Sequence, residues 1–219
     1  MEEKLQLDYF INPNLKLYQH KDHFHTNTDT KILAQFVKIK KNDRVLDIGT
    51  NNGAILRYID QFDVKELVGV EALEESYHIA CLNAKTFFQH SYKIEHSKIQ
   101  DYNDDLFDCI ISNPPYFQES ATHKNTQITL RQMGRIEKNL TLEELIMHAN
   151  RLLKSNGRFY FVHRPNRLNE IYALLLQYNF NVKTFQTFYD RRTNRIKSIL
   201  IEAVKDSNCD CVILPSIEL

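Results

Sequence analysis

The sequence lacks what a membrane protein, a disulfide scaffold or a zinc protein would need. No apolar run approaches the roughly 20 residues of a spanning helix, although 42% of the chain is hydrophobic. The opening stretch MEEKLQLDYF carries acidic residues and no apolar core, so no signal peptide is expected. The four cysteines (Cys81, Cys109, Cys209 and Cys211) show no C-x-x-C spacing, and the nine histidines are read as surface or structural residues rather than ligands. Free thiols in a reducing, cytoplasmic compartment are therefore expected, with no metal and no membrane association. There is no internal repeat, no low-complexity tract and no linker. A chain of 219 residues is long enough for one large α/β domain with a full core.

The formal net charge is also missing: 28 Lys/Arg balance 28 Asp/Glu. The balance hides an asymmetry. Residues 151–205 hold eleven Lys/Arg (151, 154, 158, 164, 167, 183, 191, 192, 195, 197 and 205) against three Asp/Glu (170, 190 and 202), a local net of +8. The remainder then carries −8. Attraction to a phosphate backbone falls off within a Debye length of about 8 Å, so local basicity is what such a partner requires. The same count is also what an ordinary solvated basic face would show.

What is present alternates. Short apolar runs bounded by turn residues read as buried strands at 44–49, 66–72, 92–96, 107–113 and 157–163. Amphipathic helical stretches lie between or after them at 54–62, 74–85, 141–154 and 167–179. The third of these opens on a capping box, Thr141 with Glu144, and should stop at Ser155-Asn156-Gly157. Two further strands, 181–189 and 197–205, are joined only by the basic loop 190–195 and must run antiparallel. The pattern predicts an α/β fold of seven strands, mostly parallel, closed by a C-terminal antiparallel hairpin, an element order that resembles the Rossmann-like class I methyltransferases. One domain over 1–205 is expected. Residues 1–43, with a helix at 29–39, form an extension on the cofactor and substrate side, and 206–219 form a tail.

Three strand ends carry the chemistry. VLDIGTNNGAI places Asp47 before Gly49 and Gly53, with Asn51 where a dinucleotide site would want its middle glycine. A carboxylate there would repel a pyrophosphate but could hold a cationic amino-acid group, which suits S-adenosylmethionine. Glu71, 24 residues on at the next strand end, is placed to accept two ribose hydroxyls. After the fourth strand comes Asn113-Pro114-Pro115-Tyr116. Prolines stop a strand, but two of them also hold a carbonyl rigidly. The Asn113 side-chain oxygen and the Pro114 carbonyl could then accept both N–H groups of an exocyclic amine. Acceptors fixed where positive charge develops are electrostatic preorganisation. Tyr116, and Phe117 beside it, could stack on an extruded base.

DIGTNNG, VEA and SNPPY, in this order, resemble the class I amino-methyltransferases that bear an Asn-Pro-Pro-Tyr motif. HTNTDTKILAQF (25–36), the stretch 141–171 with VHRP at 162–165, and NRIKSILIEAVK (194–205) further resemble the bacterial family that methylates adenine 37 of a valine tRNA at N6. The resemblance covers roughly residues 10–205. It implies a tRNA substrate, with Thr28 and Asp29 over the cofactor and Arg131, Arg135, Arg164, Arg191, Arg192, Arg195 and Lys197 toward RNA. Where the family carries an acidic residue against the cofactor adenine, this chain has Lys98, with the Ile99–Gln100 backbone or Asp101, three residues on, as the substitute contact. A monomer is expected. Two alternatives stand beside this: methylation of a glutamine amide in a release factor, and a non-catalytic S-adenosylmethionine-binding RNA-binding protein.

Overall fold

Apolar strands buried on both faces need cover on both faces, and the chain supplies it. The structure, a computed structural model, describes residues 5–20, 26–114 and 140–218. An N-terminal hairpin of β1 (Leu5–Tyr9) and β2 (Lys16–His20) precedes α1 (Thr28–Phe36). Then follow β3 (Asp43–Ile48), α2 (Ala54–Ile59), β4 (Val64–Glu71), α3 (Glu74–Phe87), β5 (Tyr92–His96) and β6 (Phe107–Ser112). The second half holds α4 (Leu142–Leu152), β7 (Leu153–His163), a 3-10 turn (Pro165–Arg167), α5 (Leu168–Gln177), β8 (Phe180–Asp190) and β9 (Arg195–Lys205). Two short strands close it, β10 (Val212–Ile213) and β11 (Ile217–Glu218).

The main sheet runs β10-β8-β9-β7-β6-β3-β4-β5, with β11 also on β8. Strands β5, β4, β3, β6 and β7 are parallel, while β9 is antiparallel to both β7 and β8. The mostly parallel sheet with its closing antiparallel hairpin is as the sequence predicts, but among the described residues the sheet has nine strands rather than seven. Residues 206–219, set apart as a tail on sequence, contribute β10 and β11 parallel to β8 along the sheet edge.

Alternation along each strand sends side chains to two cores. Val45, Leu67, Cys109, Ile111, Tyr160, Val162 and Leu200 face α1, α2 and residues of the N-terminal hairpin. Leu46, Val68, Ile110, Phe159, Phe161 and Ile201 face α4 and α5.

Three local outcomes differ from the sequence pattern. The β1–β2 hairpin was not expected: Leu5–Tyr9 alternates apolar and polar, but the strands are only five residues long and no glycine marks the turn; burial of Phe10, Leu15 and Leu17 holds it. Helix α1 spans 28–36 rather than 29–39, with Val37 already extended and buried. Helix α4 keeps its capping box but ends at Leu152, before the predicted stop. Residues 154–157 then loop out of the β6–β7 register, which steps from Phe107↔Leu153 to Cys109↔Arg158.

Beneath the sheet, Arg158 and Asp43 form an ion pair that is 4% and 5% exposed. Arg158 also donates to the Lys38 carbonyl, and Asp43 accepts from the Lys40 N–H at 2.6 Å. A buried charge that loses its partner is costly, whereas losing both charges is cheaper. Asp43→Ala is expected to destabilise the protein by about 3–5 kcal/mol. The pair Asp43→Asn with Arg158→Met should cost less than that single change. Urea unfolding of both variants checks the order, and a cheaper single mutant would refute it.

Candidate active site

Three parallel strands end side by side, and their register decides which side chains meet. Asp47 lies level with Gly69 on β4 and Ile111 on β6, and Ile48 is level with Val70 and Ser112. Glu71 and Asn113, one step beyond, therefore share an edge with Asp47. This is the carboxyl edge of the sheet, where open α/β folds bind ligands.

Gly49 turns the chain at φ +73°, in the left-handed region that glycine enters without cost. A Cβ built there would meet nothing within 4 Å, so the turn faces open space. Asn51 adopts φ +53°, and its N–H donates to a Glu71 carboxylate oxygen at 2.8 Å. The other Glu71 oxygen accepts from the Leu73 N–H at 2.9 Å. The carboxylate is held in one plane, while each oxygen keeps a further lone pair. Burial raises the Glu71 pKa, and these backbone donors oppose the rise.

Asp47 is more extreme. It is 1% exposed and takes one hydrogen bond, from the Thr50 hydroxyl at 2.8 Å. Its other oxygen has no hydrogen-bond partner among the described residues. Burial, with the nearby Glu71 charge adding to it, pushes its carboxyl up to about 7. A buried acceptor left unmade costs free energy, so it marks a place where a donor belongs.

Thr50 is packed closely enough that a Cβ on Gly69 would stand 2.8 Å from its methyl group. The loop is braced from the other side by Asn83, which is fully buried in α3. Its amide donates to the Asn52 carbonyl at 2.8 Å and the Tyr18 carbonyl at 2.9 Å, and accepts from the Tyr18 N–H at 2.6 Å. The N-terminal hairpin is thereby tied to the glycine turn. Thr50 and Asn83 went unread in the sequence. Asn83 left a signal: it is a polar residue on the same helical stripe as Ile79, Ala80 and Ala84.

At the third strand end, the Ser112 hydroxyl donates to the Ile48 carbonyl at 2.9 Å and pins β6 to β3. Asn113 follows, and its amide nitrogen donates to the Thr30 hydroxyl at 3.0 Å. Pro114 is buried. Pro115, Tyr116, Phe117, Arg131 and Arg135 lie outside the described residues.

The remaining predicted residues fall elsewhere. Thr28 opens α1, and Asp29 beside it is 3% exposed. Asp29 accepts from Arg164 at 3.0 Å and from the Ser198 hydroxyl. Arg164 also donates to Ser198 at 2.7 Å and to the Lys197 carbonyl at 3.0 Å. Asp29 and Arg164, assigned from the sequence to cofactor and RNA respectively, thus engage each other and lock α1 to the sheet. Asp101 and Lys98 are both exposed in the turn after β5.

The basic third is mostly occupied internally. Arg158 pairs with Asp43, Arg167 with Glu170 and Lys154 with Asp108, while Arg151 and Lys205 cap backbone carbonyls. Arg191, Arg192, Arg195 and Lys197 are exposed around the β8–β9 turn. Arg191 meets Glu218 of β11, and Arg192 lies 3.5 Å from Asp190. Since β9 runs antiparallel to β7 with Ile199 level with His163, this turn projects past the same sheet edge as Asn113.

The fold is that of the class I methyltransferases. A solved structure from Listeria monocytogenes, assigned to the class I S-adenosylmethionine-dependent methyltransferases, superposes with a TM-score of 0.61 at 18% identity, covering 94% of this chain and 67% of that one. The family of the methyltransferase small domain matches residues 23–187, and the chain belongs to that family. A relative from Dyadobacter fermentans, named tRNA1(Val) (adenine(37)-N6)-methyltransferase, is 30% identical over 135 residues, 60% of this chain and 55% of that one. A release factor glutamine methyltransferase from Buchnera aphidicola is 27% identical over 174 residues, covering 74% and 62%. The chain therefore spans only 55% and 62% of the length of these two relatives. Among the described residues no helix is long and apolar enough to cross a membrane, and no group of His, Cys, Asp or Glu could hold a metal ion.

A carboxyl whose folded-state pKa is raised binds its proton more tightly folded than unfolded. Asp47 therefore favours folding at low pH, and that contribution is lost as pH rises toward its folded value of about 7. Without a bound cation, Asp47→Asn should unfold at a higher temperature than the parent protein at pH 8. The gap should shrink toward pH 5, with an upper limit of about 4 kcal/mol from three pKa units. Thermal unfolding across that range decides, and a gap that widens toward low pH would contradict the assignment.

Proposed function

We propose that the protein transfers a methyl group from S-adenosylmethionine to the N6 amine of an adenine in tRNA, most specifically adenine 37 of a valine tRNA. The observation that carries this is the meeting of Asp47, Glu71 and Asn113 on one sheet edge, beside a glycine turn with open space in front of it.

The residues fit the cofactor. The unpartnered Asp47 oxygen is a buried anion suited to an ammonium group, and Thr50 holds the carboxylate in place. Glu71 offers its second lone pairs to a ribose diol, with its plane set by Asn51 and Leu73. When bound, S-adenosylmethionine supplies an electrophilic methyl group. The protein supplies position and charge. The Asn113 side-chain oxygen and the Pro114 carbonyl accept the two N–H bonds of the target amine, drawing its lone pair out of conjugation. No strong base is needed, because the amine becomes acidic only as the new bond forms. By its motif Tyr116, which lies outside the described residues, is assigned to stack on the base, and an anticodon-loop adenine can be splayed out at low cost.

The tRNA assignment is supported by the Dyadobacter relative and by the basic β8–β9 turn on the same edge. The Buchnera relative supports a second reading, a glutamine side-chain amide, since it presents the same N–H₂ to the same acceptors. Labelled methyl transfer to an unmodified valine tRNA transcript, beside one with adenine 37 changed to guanine, separates them. Label is expected in the first alone, and Asn113→Ala should reduce it by at least a hundredfold, about 3 kcal/mol of the kind that a lost fixed acceptor costs. Label in neither transcript, with label in a release-factor glutamine peptide, would move the substrate to protein.

Replacing Arg191, Arg192 and Arg195 together with Gln should weaken tRNA binding and flatten its salt dependence. About three lost phosphate contacts would reduce the log–log slope by roughly 2–3. Cofactor affinity should stay unchanged, and an unaltered slope would remove the turn from the interface.

A further inference from the structure

Thr30 stands at the third position of α1, and three hydrogen bonds around it have only one consistent direction. The Thr30 backbone N–H donates to the side-chain oxygen of Asn27, the N-cap, at 2.9 Å. A backbone N–H can only donate, so that atom of Asn27 must be the amide oxygen and not the nitrogen. The Thr30 hydroxyl lies 3.1 Å from the same oxygen and must give it its single proton. The hydroxyl can then act toward Asn113 only as an acceptor. Asn113 must therefore present its NH₂ to Thr30, which it does at 3.0 Å. Oxygen and nitrogen of an asparagine amide are told apart by their network, and here the network starts from a backbone N–H whose polarity is fixed.

The relay is anchored at both ends. Asp29, the residue before Thr30, bonds Arg164 after β7 and Ser198 on β9, so the first turn of α1 is held against the sheet. Ser112, the residue before Asn113, bonds the Ile48 carbonyl. With Nδ2 committed toward α1, the Asn113 oxygen occupies the other arm of the planar amide.

We propose that Thr30 is a positioning residue that sets the amide orientation of Asn113, so that an acceptor rather than a donor is presented to the target amine. This rests on the reading of Asn113 as an amine acceptor given above. A flipped Asn113 would put N–H₂ against N–H₂ and lose the interaction that pulls on the amine. Sequence alone did not indicate Thr30, because 83 residues separate it from Asn113.

Thr30→Val keeps the shape and removes both the acceptor and the donor. Its kcat on the valine tRNA transcript should fall on the order of tenfold, the equivalent of one neutral hydrogen bond of about 1.4 kcal/mol. KM and the dissociation constant for S-adenosylmethionine should be unchanged. Thr30→Ser, which restores the hydroxyl, should recover most of the rate. In single-turnover assays with a tritiated methyl group, Thr30→Val should add nothing to the defect of Asn113→Ala. A Thr30→Val enzyme with the parent kcat, a defect that Ser does not rescue, or a defect that adds to that of Asn113→Ala would overturn the proposal. If Asn113→Ala itself keeps the parent rate, the acceptor reading fails first and the positioning role falls with it.

Discussion

Everything at this site depends on the parallel register of β3, β4 and β6. Parallel strands point their carboxyl ends the same way, so residues far apart in sequence arrive on one edge without any contact between their side chains being needed. Asp47, Glu71 and Asn113 are brought together in this way. The close packing that sustains it is visible at Gly69, where even a methyl group would press on Thr50 and displace the side chain that holds Asp47.

That edge is electrostatically unfinished. Two carboxyl groups, 1% and 7% exposed, lie close enough for one to disfavour ionisation of the other. Glu71 is compensated by backbone donors, and Asp47 has one hydroxyl and an oxygen without a partner. Folding alone would favour an uncharged residue at position 47. A cationic ligand would relieve the desolvation of that carboxylate, so the same feature that strains the empty fold favours the loaded one.

The N-terminal segment acts as a bracket rather than an appendage. The hairpin is fastened to the glycine turn through Asn83, and α1 is fastened to β7 and β9 through Asp29. Thr30, the residue after the second attachment, lies against Asn113. Basic residues are redistributed by the same packing. Of the eleven in the basic third, those near the core pair with carboxylates or cap carbonyls, and the exposed group at the β8–β9 turn is what faces outward beside the site.

The sequence by itself determined the fold class, because apolar runs, helical stripes and a helix-free final connection admit few arrangements of an α/β sheet. It also singled out Asp47, Glu71 and Asn113 as polar residues at the ends of buried strands, and the register puts them on one edge. It did not determine which charges remain for a partner, as the pairing of Arg164 with Asp29 across 135 positions shows. Nor did it reveal the hairpin or the parts played by Thr30, Thr50 and Asn83. Those were decided by tertiary structure, because hydrogen-bond direction and burial arise between segments that composition and periodicity treat as independent.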